Sequence, residues 1–129
     1  MAEMLFQAHS GLRYLVLLAA LVALVLLALD RFGSRRSSRG ARISSAIFTG
    51  LLDLQVLLGL ILLATWEWYG ALMGHITMMV LALVAAHGLR VAAKRAGDDT
   101  RRGTFALLAV IVPLVLIAGG ILAIGRPLF

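Results

Sequence analysis

Long apolar runs alternate with short charged connections along the whole chain. Four runs have the length of a membrane span: Leu12–Leu29, Ile43–Thr65, Ala71–Ala92 and Phe105–Ile124. A hydrocarbon core of roughly 30 Å needs about 20 apolar residues at helical rise. The runs must be helical, because unpaired backbone groups are costly in lipid and the alternation of barrel strands is missing. Since the connections are short, we predict an all-α fold, a four-helix up-down transmembrane bundle forming one domain over residues 1–129.

The composition is typical of a membrane protein, and it excludes several kinds of site. Hydrophobic residues make up 62% of the 129 residues, and the mean hydropathy is +1.02, which is too apolar for a soluble domain of this length. The chain has no cysteine, which excludes disulfides, thiolate ligands and covalently attached c-type haem. The net charge of +6 lies in short runs between apolar segments. This distribution favours contact with membrane lipid and not with nucleic acid.

Basic residues concentrate in the first and third connections, which predicts the orientation. The first carries Arg31, Arg35, Arg36, Arg39 and Arg42, and the third carries Arg90, Lys94, Arg95, Arg101 and Arg102. The middle connection, 66–70, has no base and three aromatic rings, as expected for an interfacial belt. Because Lys and Arg favour short cytoplasmic connections, we expect both termini on the outer side and spans one and three to run in the same direction.

Two histidines open the two parallel spans, so their imidazoles start at a similar depth on the outer side. His9 and His75 can then face each other, and two neutral imidazoles one macrocycle apart suit the iron of haem b. Arg13 lies one turn after His9, where a guanidinium can pair with a haem propionate. Met79 falls on the His75 face, together with Ala82 and Ala86. The alternative is that both histidines only make interhelical or interfacial hydrogen bonds.

The remaining polar residues at membrane depth lie in spans two and three. Asp53 can meet His87, and such a pair can carry protons or contact a quinone head group; it can equally be a static pair that fixes helix register. Gln55 and Gly59 share a face, where the amide supplies an interhelical hydrogen bond and the glycine permits close packing. Gly119-Gly120 in span four indicates packing of the same kind.

Three segments resemble a family of small bacterial four-span proteins labelled cytochrome b-like. They are His9-Ser10-Gly11-Leu12-Arg13-Tyr14, Leu54-Gln55-Val56-Leu57-Leu58-Gly59 and Gly74-His75-Ile76-Thr77-Met78-Met79. The resemblance covers most of the chain and implies a bacterial inner membrane protein with a redox function. It places the functional positions at His9, Arg13, Gln55, Gly59 and His75. The chain departs from the family at Asp53, where relatives tend to carry histidine.

Three functions remain open on this basis. The first is a b-type electron-transfer protein with haem between His9 and His75, linked to a quinol. The second is a non-catalytic accessory subunit of a larger respiratory or photosynthetic complex, with other membrane subunits or further copies of the chain as partners. The third is a small homodimeric exporter, in which only Asp53 is available to couple protons to transport. Soluble enzyme chemistry is disfavoured, because no Ser/His/Asp set, phosphate-binding glycine loop or carboxylate pair occurs in the sequence.

Overall fold

Four long helices make up the fold of this chain, whose computed structural model describes residues 2–33, 39–65 and 70–125. The helices are α1 (Ala2–Phe32), α2 (Arg39–Thr65), α3 (Gly70–Arg95) and α4 (Asp99–Ala123). Each is long and apolar enough to cross a membrane, and the described ranges contain no strand. The predicted all-α four-helix bundle is confirmed.

The helices extend beyond the predicted apolar spans at several ends. α1 begins at Ala2 and not near Leu12, and α4 begins at Asp99 and not near Phe105. Hydropathy marks the part of a helix that lies in lipid, whereas caps and helix propensity set where the helix begins. Asp98 caps α4, since its side chain accepts a hydrogen bond from the Arg101 backbone N–H. His9 consequently lies inside α1 and not at its start.

The bundle consists of two helix pairs. α1 packs along α2 and α3 packs along α4, while α1 also lies against α4; α2 and α3 meet only sparsely. Near the predicted cytoplasmic end, the Arg31 Nε–H donates to Thr104 Oγ1 at 2.9 Å and ties α1 to α4. The sparse meeting of α2 and α3 leaves a gap between the two pairs along that side of the bundle.

Small side chains line the core where the helices cross. Ala20, Ala23, Ala82 and Ala86 are fully buried, and small residues let membrane helices approach closely. Phe48, Leu52, Val16 and Val110 fill the remaining interior. Large apolar side chains such as Leu18, Leu57 and Val84 are exposed on the outside, which suits a surface that faces lipid tails.

Two sequence predictions fall on residues that the structure does not describe. The aromatic rings of the middle connection, at Trp66, Trp68 and Tyr69, lie outside the described residues. So do the bases Arg35 and Arg36 of the first connection. These predictions therefore stay as they were made from the sequence.

Candidate functional site

His9 is held between α1 and α2 by two reciprocal hydrogen bonds. Its Nδ1 lies 3.1 Å from the backbone oxygen of Gln55, and the Gln55 side-chain Nε2 donates to the backbone oxygen of His9 at 2.7 Å. A carbonyl oxygen only accepts, so the His9 Nδ1 must carry the proton and its Nε2 keeps the free lone pair. The antiparallel pairing of α1 and α2 brings these two residues together.

His75 has the same arrangement in the other helix pair. Its Nδ1 lies 3.0 Å from the backbone oxygen of Gly120 on α4. The same reasoning assigns the proton to Nδ1 and leaves Nε2 as an acceptor. Among the described residues, the Nε2 atoms of His9 and His75 have no hydrogen-bond partner.

The two imidazoles face each other across the space between the helix pairs. Their ring centroids are 6.3 Å apart, and the ring planes are nearly perpendicular at 87°. Each ring is anchored within its own pair, His9 to α2 and His75 to α4. The distance between the rings is therefore set by how the two pairs pack and by the hydrogen bond that holds each ring.

The two rings line a cavity between the helix pairs. The cavity has a volume of about 130 Å³, and its walls are mainly apolar. Residues from all four helices contribute to it, among them Phe6, Gln55, Leu72, Met79 and Ile117. Cavities near 150 Å³ are known to accept a single benzene-sized ring. A larger planar group would exceed the enclosed volume.

Two polar atoms at this cavity are buried without a hydrogen bond among the described residues. One is the Arg13 Nε, a donor, and the other is the Gln55 Oε1, an acceptor. The Arg13 Nη2 donates to the Tyr14 hydroxyl at 2.9 Å, and the guanidinium lies over the Tyr14 ring at 4.8 Å. Since buried polar groups are normally satisfied, these two atoms are exceptions among the described residues.

Two glycines allow the imidazoles to lie close to the helix backbones. A Cβ at Gly59 would be 3.1 Å from Cε1 of His9, and a Cβ at Gly120 would be 3.5 Å from Nδ1 of His75 and 2.5 Å from Cε of Met79. The contact at Gly59 is too short for a Cβ unless the His9 ring shifts, whereas at Gly120 the short contacts are to the Met79 and Met78 side chains and the one to His75 is an ordinary contact. Sequence reasoning treated Gly120 as a packing residue and missed its backbone oxygen as the acceptor for His75. A glycine pair in an otherwise apolar span was the available signal.

Asp53 and His87 lie apart from the cavity, on the face where α2 and α3 are adjacent. Asp53 Oδ1 is 2.7 Å from Nε2 of His87, and both side chains are about half exposed. Neither residue lines the cavity that holds His9 and His75. The structure thus separates the predicted site residues into two groups: the cavity group of His9, Arg13, Gln55, Gly59, His75 and Met79, and the pair of Asp53 and His87.

Within the described ranges, no group of three or more His, Cys, Asp or Glu side chains is placed to hold a metal ion. A metal held only by protein side chains generally needs three or four such ligands. Two facing imidazoles are enough only when a macrocycle supplies the other ligands. Comparison of the chain with protein-family models, with curated proteins and with solved structures gives no match. The resemblance to cytochrome b-like proteins therefore stays a prediction.

Proposed function

We propose that this chain is a b-type membrane electron-transfer protein that holds one haem b between His9 and His75. The observation that carries the proposal is the pair of facing imidazoles, each with Nδ1 on a backbone carbonyl and Nε2 free. Metal-ligating histidines in proteins donate their other ring N–H in this way, which fixes the tautomer and the ring orientation.

The distance between the rings fits one iron between them. Metal–imidazole bonds are about 2 Å long, and with roughly 1 Å from each nitrogen to its ring centroid the centroids of two axial ligands lie about 6 Å apart. The observed separation is 6.3 Å. The perpendicular ring planes do not conflict with ligation, since two imidazoles on one iron need only share a common axis and the angle between their planes is open. Donor type, tautomer and spacing all agree with a bis-histidine site.

The polar residues of the cavity suit the propionate edge of a haem. The buried Arg13 Nε is a free donor at the wall of the cavity, and an arginine pairs well with a carboxylate such as a haem propionate. The apolar walls suit the macrocycle face. The enclosed volume of about 130 Å³ would hold only part of the ring.

The residues of this chain define what the site can do. Haem would supply one-electron redox chemistry when bound. His9 and His75 would hold the iron, while the Gln55 and Gly120 carbonyls would fix the tautomer and orientation of the two imidazoles. Arg13 compensates propionate charge, and Met79 with its apolar neighbours excludes water. This arrangement suits electron transfer and not substrate turnover.

The predicted topology completes the proposal. The bases at Arg90, Lys94 and Arg95 lie at the end of α3, and Arg101 and Arg102 lie at the start of α4. The positive-inside rule assigns this end to the cytoplasm of a bacterial inner membrane. His9 and His75 then lie toward the outer side, where a quinol in the bilayer is a suitable electron donor and an outer-side protein a suitable acceptor.

Haem titration of the purified chain tests the proposal. The wild type should bind one haem per chain with the sharp Soret and α bands of a six-coordinate low-spin haem. His9→Ala and His75→Ala should each abolish this spectrum, because one axial ligand is lost. His87→Ala is the matched control and should bind haem as the wild type does. A chain that takes up no haem, or a His75→Ala spectrum identical to that of the wild type, contradicts the proposal.

A further inference from the structure

The Asp53–His87 pair is a polar feature on the outside of the bundle. The two side chains are 47% and 53% exposed, respectively, although they bond each other at 2.7 Å. The recorded bond uses Oδ1 of Asp53 and Nε2 of His87. The described residues supply no further partner for Oδ2 of Asp53 or Nδ1 of His87. Each chain therefore presents a free carboxylate oxygen of Asp53 beside a free ring nitrogen of His87, and this nitrogen donates when the imidazole carries both protons.

The pair lies deep in the apolar part of the chain. Asp53 is ten residues from the predicted start of its span at Ile43, which is about 15 Å at helical rise in a hydrocarbon core of roughly 30 Å. Ionisable side chains at this depth almost always face protein or water and not lipid tails. We therefore expect the face that carries Asp53 and His87 to contact protein or water, and not lipid tails, in the membrane.

We propose that a second copy of this chain covers this face, as a dimer with its two-fold axis along the membrane normal. Because Asp53 and His87 of one chain bond each other, they lie at one depth. A two-fold rotation about the normal places α2 of each chain opposite α3 of the other at that same depth. Asp53 then meets the partner's His87, and His87 meets the partner's Asp53, so the face is complementary to itself in charge and in hydrogen bonding.

Two glycines beside the pair allow this contact to be close. Gly50 on α2 and Gly88 on α3 are exposed, and a Cβ on either would meet no atom within 4 Å. Both lie within one turn of the polar pair, one on each helix. Membrane helices associate through small residues together with polar side chains that bond across the interface. The two glycines by themselves do not indicate a partner. The indication that the partner is a second copy comes from the self-complementary Asp53–His87 pair.

Energy transfer between labelled chains in liposomes tests the dimer without any need for haem. The chain has no cysteine, so Gly97→Cys in the exposed turn between α3 and α4 takes a single donor or acceptor dye. Wild-type transfer should rise with the protein-to-lipid ratio. Replacing both residues of the pair, Asp53→Leu with His87→Leu, should move the half-point of this rise at least about tenfold toward higher protein density, since interhelical polar bonds contribute about 1 kcal/mol each.

Two charge variants separate contacts between chains from the bond within each chain. Asp53→His gives a chain with two imidazoles, and His87→Asp gives a chain with two carboxylates. Each alone should lose transfer, whereas a mixture of the two should regain it, because every contact across the two-fold axis is again an Asp–His contact. A chain that carries both changes should dimerise like the wild type.

Circular dichroism of each variant verifies that the helices remain folded. Where a single variant does not fold, the leucine variant and the doubly exchanged variant still test whether the chain dimerises through this face. Wild-type chains that show no transfer at any protein density overturn the proposal, as does transfer that is unchanged in the leucine variant. Loss of transfer in the double exchange also overturns it. Because none of these measurements uses haem, failure of the dimer and failure of the haem site are distinguishable.

Discussion

Gly59 packs directly against the His9 ring, and Gly59→Ala adds one methyl group at this contact. The new Cβ would lie 3.1 Å from Cε1, 3.6 Å from Nδ1 and 3.7 Å from Nε2 of His9. Carbon atoms are comfortable at about 3.5–4.0 Å, so the imidazole must move by roughly 0.5 Å away from α2. Its hydrogen bond to the Gln55 oxygen, 3.1 Å long now, then exceeds the usual limit for a hydrogen bond.

The expected result is weaker haem binding by the Gly59→Ala chain. Loss of the hydrogen bond that orients a metal-ligating histidine typically costs about 10–100-fold in affinity. Haem affinity is measured from the Soret change during titration of the purified chain. Gly11→Ala is the control, because a Cβ there meets nothing within 4 Å. Both changes favour the helix by about 0.5–1 kcal/mol, so helix propensity cancels in the comparison.

Wild-type affinity in Gly59→Ala would refute this account of how His9 is held. Equal loss in Gly59→Ala and Gly11→Ala would refute it as well, since a methyl group in open space cannot move the imidazole. Helical content in the far ultraviolet should be the same for all three chains. A difference in affinity is then attributable to the position of the His9 ring.

Three further predictions follow from other contacts. Gly120→Ala should weaken haem binding, because its Cβ would lie 3.1 Å from Cβ of Met78 and push α3, which carries His75, away from α4, whereas a Cβ at the neighbouring Gly119 meets nothing within 4 Å; equal Soret titrations for the two variants would contradict this. Arg13→Met should lower haem affinity roughly tenfold or more, the value of a hydrogen bond to a charged group, and the loss should vanish with a haem whose propionates are esterified. Asp98→Ala should destabilise the chain by about 0.5–2 kcal/mol through loss of the α4 cap, as measured by reversible unfolding in detergent mixtures, and a change below this range would argue against the cap.

Much of the fold is predictable because membrane insertion restricts the alternatives. Four apolar runs of bilayer length allow only four helices, and short connections make neighbours antiparallel. The similar depth of His9 and His75 follows from the parallel direction of spans one and three. The helix ends were not predictable from hydropathy, since α1 continues through Glu3 and Gln7 to Ala2, and polar residues are compatible with helix outside the lipid.

The partners of the imidazoles were not predictable, because they depend on the rotation of each helix about its axis. In a soluble bundle the apolar stripe reveals that rotation. Here Leu, Val and Ile occur on the buried and exposed sides alike, as Val16 and Leu18 in α1 illustrate. The hydrogen bonds from His9 to the Gln55 oxygen and from His75 to the Gly120 oxygen therefore required the packed structure. Asp53 and His87 were recognisable as an unusual pair from their depth alone.

Electron paramagnetic resonance of the oxidised, haem-loaded chain tests the central claim most directly, because the signal reports the two axial ligands of the iron. The account predicts a low-spin ferric signal, strongly anisotropic because the two imidazole planes are nearly perpendicular at 87°. His75→Ala should convert it to a high-spin signal. A wild-type chain that gives only a high-spin signal, or a low-spin signal that persists unchanged in His75→Ala, would contradict ligation by His9 and His75.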